Sequence, residues 1–469
     1  MARSLNLLLV SCLVLPRFSE EETALWYMFA TLISLQNLAD FGFNPTMVRL
    51  VAYAMGGAES LAEAGVGGKL PSKLEPNWSL LARLASAMRW LYARLGLGLA
   101  ALFALGGTLA LLRRVGALAH PSIRTLAHSG IHTSVTHAWI AWGCIIFTTW
   151  ISFTSNAYAA FLQGTNHVAL VRRWESIFGL GSIVGSALAI WLTRSLLGLV
   201  LANQFWFILG AIRNRWLGTH VLDERFRDFP KPAFDAEIMR IAWPAAWRSG
   251  VGTLAYGTFR AADLVAGQNR DSSAVAAYLM VRQLANTINA ASQAPFYSRI
   301  PVYAKLWAQQ KKEELTGMAG RNIAFSLWAF VLPFVAGAWM LPWGMKLIHS
   351  RTAFAGPEMW FAIGLALWFE RYGGMHLQLV SASHRVVAHV AQMVTAVEFV
   401  VLAAIGYHWL GLLALPVAML VGNAGFLAGY ARWKSGELFH LPLPRFEIRT
   451  ALAPLLFLLA AGAIALWHK

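Results

Sequence analysis

Two neighbouring stretches place charge where the surrounding sequence is apolar. The first, Ile241 to Asp263, carries Arg248, Arg260 and Asp263. The second, Ala274 to Gln293, carries Tyr278, Arg282, Asn286, Asn289 and Gln293 at spacings of four, four, three and four residues, which sets all five on one helical face. A guanidinium stays charged and grips two oxygens at once, which suits phosphate; amide side chains suit sugar hydroxyls. Arg248 and Arg282 are therefore candidate ligands for an anionic head group, in a polar, cationic cavity shared with Tyr278, Asn286, Asn289 and Gln293. The other reading of either arginine is a buried salt bridge to Asp263, Glu370 or Glu398, because charges inside a membrane often pair with each other. Asp40, Asp263, Glu370 and Glu398 are the carboxylates that could couple to H+ or Na+, since a carboxylate taken out of water invites a proton or a cation. Arg260, three residues from Asp263, is expected to pair with it on one turn.

Such charges matter because of their surroundings. Hydrophobic residues are 58% of the 469 and charged residues 13%, with mean hydropathy +0.53; a soluble domain has about 25% charged residues. This is the composition of an all-α polytopic membrane protein, in which a charge at mid-depth costs about 3 kcal/mol and must face a bundle interior or a watery path. The formal charge of +16 does not point to nucleic acid. The basic residues divide roughly 25 to 10 in favour of alternate loops, the bias that marks cytoplasmic loops. Cys12 and Cys144 both lie in apolar runs, so neither a disulfide nor a metal site is expected, and no cofactor is implied.

Taken in order, the chain contains thirteen apolar runs. Met1 to Val14 is too short to cross about 30 Å of hydrocarbon and reads as a first helix shortened by a late start, in preference to a signal peptide. Glu20 to Glu22 is expected as an acidic outer turn, and Thr23 to Phe41 as the second span, broken by Pro45 beside Asp40. The stretch 53–94 is expected in the cytoplasm, its glycine-rich part (Gly56 to Gly68) a linker and its part from Leu80 to Tyr92 an amphipathic helix on the inner leaflet. Spans follow at Leu95 to Leu112, Ala138 to Leu162, Trp174 to Leu192 and Leu196 to Ile212, with an inner turn at Arg172 and Arg173 and a hairpin at Arg194 and Ser195. The loop before the fourth span holds His120, His128, His132 and His137, without an accompanying carboxylate or cysteine, so no metal site is expected. Thr148, Ser152 and Ser155 share a face of the fourth span, where they would either bond sugars or join helices.

The charged segment 213–240 reads as a cytoplasmic linker between an N-terminal bundle (1–212) and a C-terminal bundle (241–431), followed by an inner loop and extra helix (432–469). The second-half spans are Arg240 to Asp263, Ala274 to Tyr297, Ile323 to Pro342, Met359 to Val380, Val386 to Tyr407, Leu410 to Ala431 and Ala451 to Trp467, with basic inner loops at 299–321 and 432–449. Leu162 to His167 matches Leu379 to His384 in length, small polar middle and final histidine, and Leu25 to Tyr27 aligns loosely with Ala276 to Tyr278. Two six-helix halves of this kind would be parallel repeats.

Glu21 to Tyr27, Leu38 to Arg49, the pair Pro244 and Asp263, then Ala277-Tyr278, and the polar exits from spans four and ten together carry a resemblance. The chain resembles a bacterial polysaccharide flippase, O-antigen type, of the multidrug, oligosaccharidyl-lipid and polysaccharide exporter superfamily. The resemblance implies about 12 to 14 helices in two bundles around a central cavity. It also implies alternating-access movement of undecaprenyl-pyrophosphate-linked oligosaccharide across the inner membrane for surface polysaccharide such as lipopolysaccharide or exopolysaccharide. The implied partners are that lipid-linked oligosaccharide, membrane lipids and a polysaccharide polymerase complex. The short first helix and the glycine-rich insertion depart from the family pattern. A drug or metabolite antiporter of the same superfamily would favour acidic and aromatic cavity residues. A membrane-embedded glycan polymerase or ligase would want carboxylates in a large outer loop, and Arg113 to Thr136 has none. There is no G-x-x-x-x-G-K loop for ATP, and a non-enzymatic carrier is the expectation.

Overall fold

A computed structural model describes residues 10–467 apart from 12, 37–38, 59–74, 119–132, 221–225, 227, 270, 382–386 and 442. Every regular element among them is helical. In chain order these are α1 (Glu20–Leu35), α2 (Phe43–Met55), α3 (Trp78–Leu102), α4 (Thr108–Ala117), α5 (Val135–Gly164), α6 (Val168–Thr193), α7 (Leu196–His220), α8 (Ala236–Ala266) and α9 (Ser272–Ser292). There follow α10 (Ala294–Tyr297), α11 (Ile300–Ala308), α12 (Lys312–Leu347), α13 (Pro357–Ser381), α14 (Ala388–Leu410), α15 (Ala414–Gly422), α16 (Ala428–Phe439), α17 (Leu443–Glu447) and α18 (Ala453–Trp467). Seven helical runs among the described residues are long and apolar enough to cross a membrane. Leu102, Leu105, Leu109 and Leu112 form one exposed stripe along α3 and α4, as a lipid-facing surface requires.

The chain divides into two compact units, 28–257 and 3–27 with 258–469. The division falls inside α8, whereas the charged segment 213–240 was the expected boundary. Within that segment α7 continues to His220 and α8 begins at Ala236.

In the unit 28–257, α5 packs against α2, α3 and α7. Lipid tails give no hydrophobic drive between helices, so close packing and polar contacts must hold such a bundle. Gly107, at the wide turn 103–107, lets the Trp142 ring come so near that a Cβ would lie 2.5 Å from it, and Trp142 Nε1 donates to Thr108 Oγ1 at 2.9 Å. Thr148 donates to Gln204 of α7 and Asn214 of α7 donates to Ser155, so this face of α5 joins helices.

Several expectations are corrected here. Glu20 to Glu22 form the first turn of α1, not a loop, because Ser19 and Glu22 cap the helix reciprocally: Glu22 Oε2 accepts from Ser19 N–H, and Ser19 Oγ from Glu22 N–H. Pro45 does not end a helix. It sits in the first turn of α2, where a missing N–H is harmless, and the break is made upstream by Phe41 (φ 46°) and Gly42 (φ 71°). Leu80 to Tyr92 is helical as expected, but it is not a separate helix: it opens α3, which continues into the apolar run that follows, and its apolar face is buried in the unit. Its polar face holds residues 229–237: Arg83 pairs with Asp235 and Glu237 at 2.8 Å, and Arg89 donates to the carbonyls of Phe229 and Pro230. Asp235 caps α8; partial burial raises its carboxyl pKa, but the Ile238 N–H and the Arg83 guanidinium outweigh this and hold it below the usual range. Arg172 and Arg173 lie within α6, and the turn is made at 165–167, where Asn166 takes φ 68°. The hairpin at Arg194 and Ser195 is as expected, with Arg194 at φ 46°.

In the other unit, the expected loops 299–321 and 432–449 are mostly helical, in α11, the start of α12, the end of α16 and α17. Helix α13 is central, packing on α9, α12, α15, α16 and α18. Its Trp360 stacks on Phe334 of α12 with ring centroids 4.3 Å apart and donates to the Phe334 carbonyl at 3.0 Å. Gly364, one turn on, leaves room for the same ring: a Cβ there would meet Phe334 at 2.3 Å. The ring cannot swing away, because Trp360 and Phe330 stack on it. Gly364→Val should therefore destabilise the protein by about 1–3 kcal/mol. In detergent melts it should lower the unfolding temperature, while Gly344→Ala, with open space at its Cβ, should not.

Candidate functional site

The polar ladder on α9 lies in the unit 258–469. Asp271 caps α9 by accepting from Ser273 and Ala274 N–H, and from there the helix runs unbroken through Tyr278, Arg282, Asn286 and Asn289 to Gln293 at its C-cap. Tyr278, Arg282 and Asn289 are buried; Asn286 and Gln293 are half-buried.

At the α8 end of the ladder, Arg282 Nε stands 3.5 Å from Asp263 Oδ1, both side chains 6% exposed. The Tyr278 hydroxyl donates to the same carboxylate oxygen at 3.3 Å, and Arg282 Nη1 donates to Asn286 Oδ1 at 3.4 Å. The salt-bridge reading of Arg282 is thus the arrangement found. It follows from helix geometry: Asp263 sits near the end of α8 and Tyr278 and Arg282 share a stripe one turn apart on α9. A carboxylate supplies the acceptor that a guanidinium needs away from water. Beside this pair, Phe259, Ala262, Tyr278, Arg282, Ile363, Phe399, Leu415, Pro416 and Met419 enclose a cavity of about 10 Å³, on the order of one water. One side of it is cationic and the rest apolar and aromatic.

At the other end of the ladder, Asn289 meets Arg371 of α13, whose place in a buried network was not foreseen. Arg371 Nε and Nη2 both donate to Asn289 Oδ1, at 3.1 and 2.7 Å, and Nη2 also donates to the Asn289 carbonyl. Nη1 donates to Ser326 Oγ of α12 at 2.8 Å, and Ser326 Oγ donates in turn to the Ser292 carbonyl. The guanidinium carbon lies 5.3 Å from the Phe330 ring centre, a cation–π contact. Asn289 is therefore occupied by the protein's own cation. The signal is in the sequence, since an arginine inside the apolar run 359–380 is unusual enough to mark a site.

The remaining candidates are dispersed. Asp40 lies in the unit 28–257, where it accepts from Asn44 N–H and the Tyr92 hydroxyl at 2.9 Å, a capping and cross-linking role. Glu370 is half-buried next to Arg371, and Glu398 of α14 lies against Gly422 of α15. Arg248 and Arg260 are on α8, with side chains outside the described residues; so are His120, His128 and His132. Asp263 is held by groups of α9, which the expected local pairing with Arg260 did not include.

No protein-family model and no curated protein sequence matches this chain. Solved structures do. A multidrug resistance MATE family transporter of the MOP superfamily, inward-facing, superposes with TM-score 0.66 at 14% identity, over 94% of this chain and 96% of that one. The lipid II flippase MurJ, in its inward closed conformation, superposes with TM-score 0.58 at 13% identity, over 99% and 97%. A point variant of the Vibrio cholerae MATE transporter VcmN gives 0.52 at 13%, over 93% and 99%.

The chain has the MOP transporter fold. Within that fold, the ladder of α9 is a polar seam in which Arg282 is matched by Asp263 and Asn289 is taken up by Arg371. Removing one member of the Asp263–Arg282 pair leaves the other charge buried. Asp263→Asn should destabilise the protein by about 3–5 kcal/mol, and a double-mutant cycle with Arg282→Gln should give a coupling above about 1 kcal/mol. A coupling near zero would mean that the two side chains do not meet.

Proposed function

We propose that this protein carries undecaprenyl-pyrophosphate-linked oligosaccharide across the bacterial inner membrane by alternating access, for surface polysaccharide synthesis. The observation that supports this best is the pair of buried arginines in the unit 258–469, Arg282 at a cavity and Arg371 held by neutral acceptors, within a fold that also serves a lipid II flippase. A pyrophosphate arriving at Arg282 would compete with Asp263 for the guanidinium. Protonation of Asp263 would release Arg282 for the anion, so that proton uptake and head-group binding would be linked at one pair. Arg248, on α8, remains the second proposed head-group ligand, with Asn286 and Gln293 toward the sugars. A polymerase complex remains the proposed partner.

One observation favours a second reading. Asp263 and the rings of Phe259, Phe399 and Tyr278 around the cavity are the groups an organic cation would seek, as in a drug antiporter.

Reconstitution separates the two. Vesicles containing the protein and undecaprenyl-pyrophosphate oligosaccharide should expose the glycan to an external glycosidase, and Arg248→Ala and Arg282→Ala should each slow this at least about tenfold, the loss of one charge-assisted contact. Unchanged transfer in both variants, or uptake of a quaternary ammonium dye without glycolipid transfer, would sink the flippase reading.

A further inference from the structure

A second titratable cluster lies in the unit 258–469, away from the ladder of α9. His376 of α13 is fully buried, and its Nδ1 is 2.6 Å from Ser435 Oγ of α16. Its other nitrogen, Nε2, faces Glu447 Oε1 at the end of α17 across 3.8 Å, and Arg432 Nε of α16 stands 3.7 Å from the same oxygen. His376 Nε2, Glu447 Oε1 and Arg432 Nε are all buried, and none has a hydrogen-bond partner among the described residues. Tyr372, one turn before His376, has its ring centre 4.7 Å from the imidazole and its hydroxyl near Glu447; the ring of Phe446 closes the far side at 6.1 Å. Histidine, glutamate, arginine and tyrosine are the titratable and charged groups that face this point from α13, α16 and α17.

The direction of the hydrogen bonds constrains the protons. Ser435 has one hydroxyl hydrogen, and its Oγ lies 3.0 Å from the Arg432 carbonyl, an acceptor that can only receive it. Ser435 Oγ is then the acceptor for His376, so Nδ1 carries a hydrogen. In a neutral ring that leaves Nε2 with a bare lone pair aimed at Glu447 Oε1, which is also an acceptor when ionised. Two acceptors facing each other in a dry site repel, and one additional proton, on either atom, turns the repulsion into a donor–acceptor pair.

We propose that His376 and Glu447 form a proton-binding site that takes up and releases one proton held between them. The proton bonds to Nε2 or Oε1 and nothing else is made or broken. Uptake closes the 3.8 Å gap by about 1 Å, to the length of a charge-assisted hydrogen bond. It draws α13 toward the start of the last helix, α18. Glu447 is 16% and Arg432 43% exposed, so the proton has a route from the basic segment 432–449. The arginine tunes the site, competing for the carboxylate and opposing a positive ring.

The test needs no substrate, so it stands apart from the transport reading. Purified protein carrying ring-¹⁵N histidine is titrated in lipid nanodiscs, with the His376 signals assigned by their loss in His376→Gln. The expected result is a His376 Nε2 resonance that moves between about pH 5 and 8. Glu447→Gln should shift that transition at least about one pH unit to the acid side, a tenfold loss of proton affinity, and Arg432→Gln should shift it to the alkaline side. A structural role alone would not give opposite shifts. A resonance that is constant from pH 5 to 9 in the unmodified protein, or that shifts alike in both variants, overturns the proposal. Unfolding temperatures of the two variants, taken on the same samples, confirm that the reporting protein is folded.

Discussion

A guanidinium brings five N–H donors into a region where no water answers them, and the unit 258–469 is shaped by the need to supply acceptors for two such groups. Arg282 and Arg371 answer it in different ways. Arg282 is met by a charge, the Asp263 carboxylate, with an amide oxygen from Asn286 and a tyrosine hydroxyl sharing the same carboxylate. Arg371 is met by dipoles: an amide oxygen, a hydroxyl, two backbone carbonyls and an aromatic face. Each solution needs residues from different helices at fixed spacing, α8 with α9 in the first case and α9 with α12 and α13 in the second. The ladder of α9 serves both, which is why its polar side chains recur on one stripe.

Much of this architecture was legible in the residues. Composition and periodicity give an all-helical membrane chain, and the regular spacing from Tyr278 to Gln293 marks one buried stripe on one helix. What composition does not carry is partner choice. Asn289 and an open sugar site look alike in sequence, since an amide is donor and acceptor at once; only the position of Arg371, more than eighty residues away, decides that its oxygen is taken. Thr148 and Ser155 were an open question for the same reason, and the contacts to Gln204 and Asn214 settle them as joints between α5 and α7. The errors at Glu20 and Pro45 have a common origin. Charge and proline were read as marks of loop, but three acidic residues belong in a helix's first turn, where the backbone N–H groups are free, and proline is tolerated there for the same reason. The segment from Leu80 to Tyr92 looked interfacial because its polar face carries Arg83 and Arg89. A polar face can be covered as well by protein as by water, and residues 229–237 cover it.

Charge balance is the remaining physical constraint on ligand class. Asp263 and Arg282 are together neutral, so the pair by itself selects neither cation nor anion. It becomes selective only when one member is neutralised: a proton on Asp263 leaves a cation at the cavity, whereas nothing in the physiological range discharges Arg282. The asymmetry is intrinsic to the two side chains. A carboxylate and a guanidinium placed 3.5 Å apart in a buried site form a device whose one accessible alternative state is positive. Arg371 is balanced differently. Its hydrogen-bond partners among the described residues are all neutral, so they disperse its charge without cancelling it, and the Glu370 carboxylate next to it in the chain is the charge that acts on it through space. In a low-dielectric interior that action reaches further than a hydrogen bond.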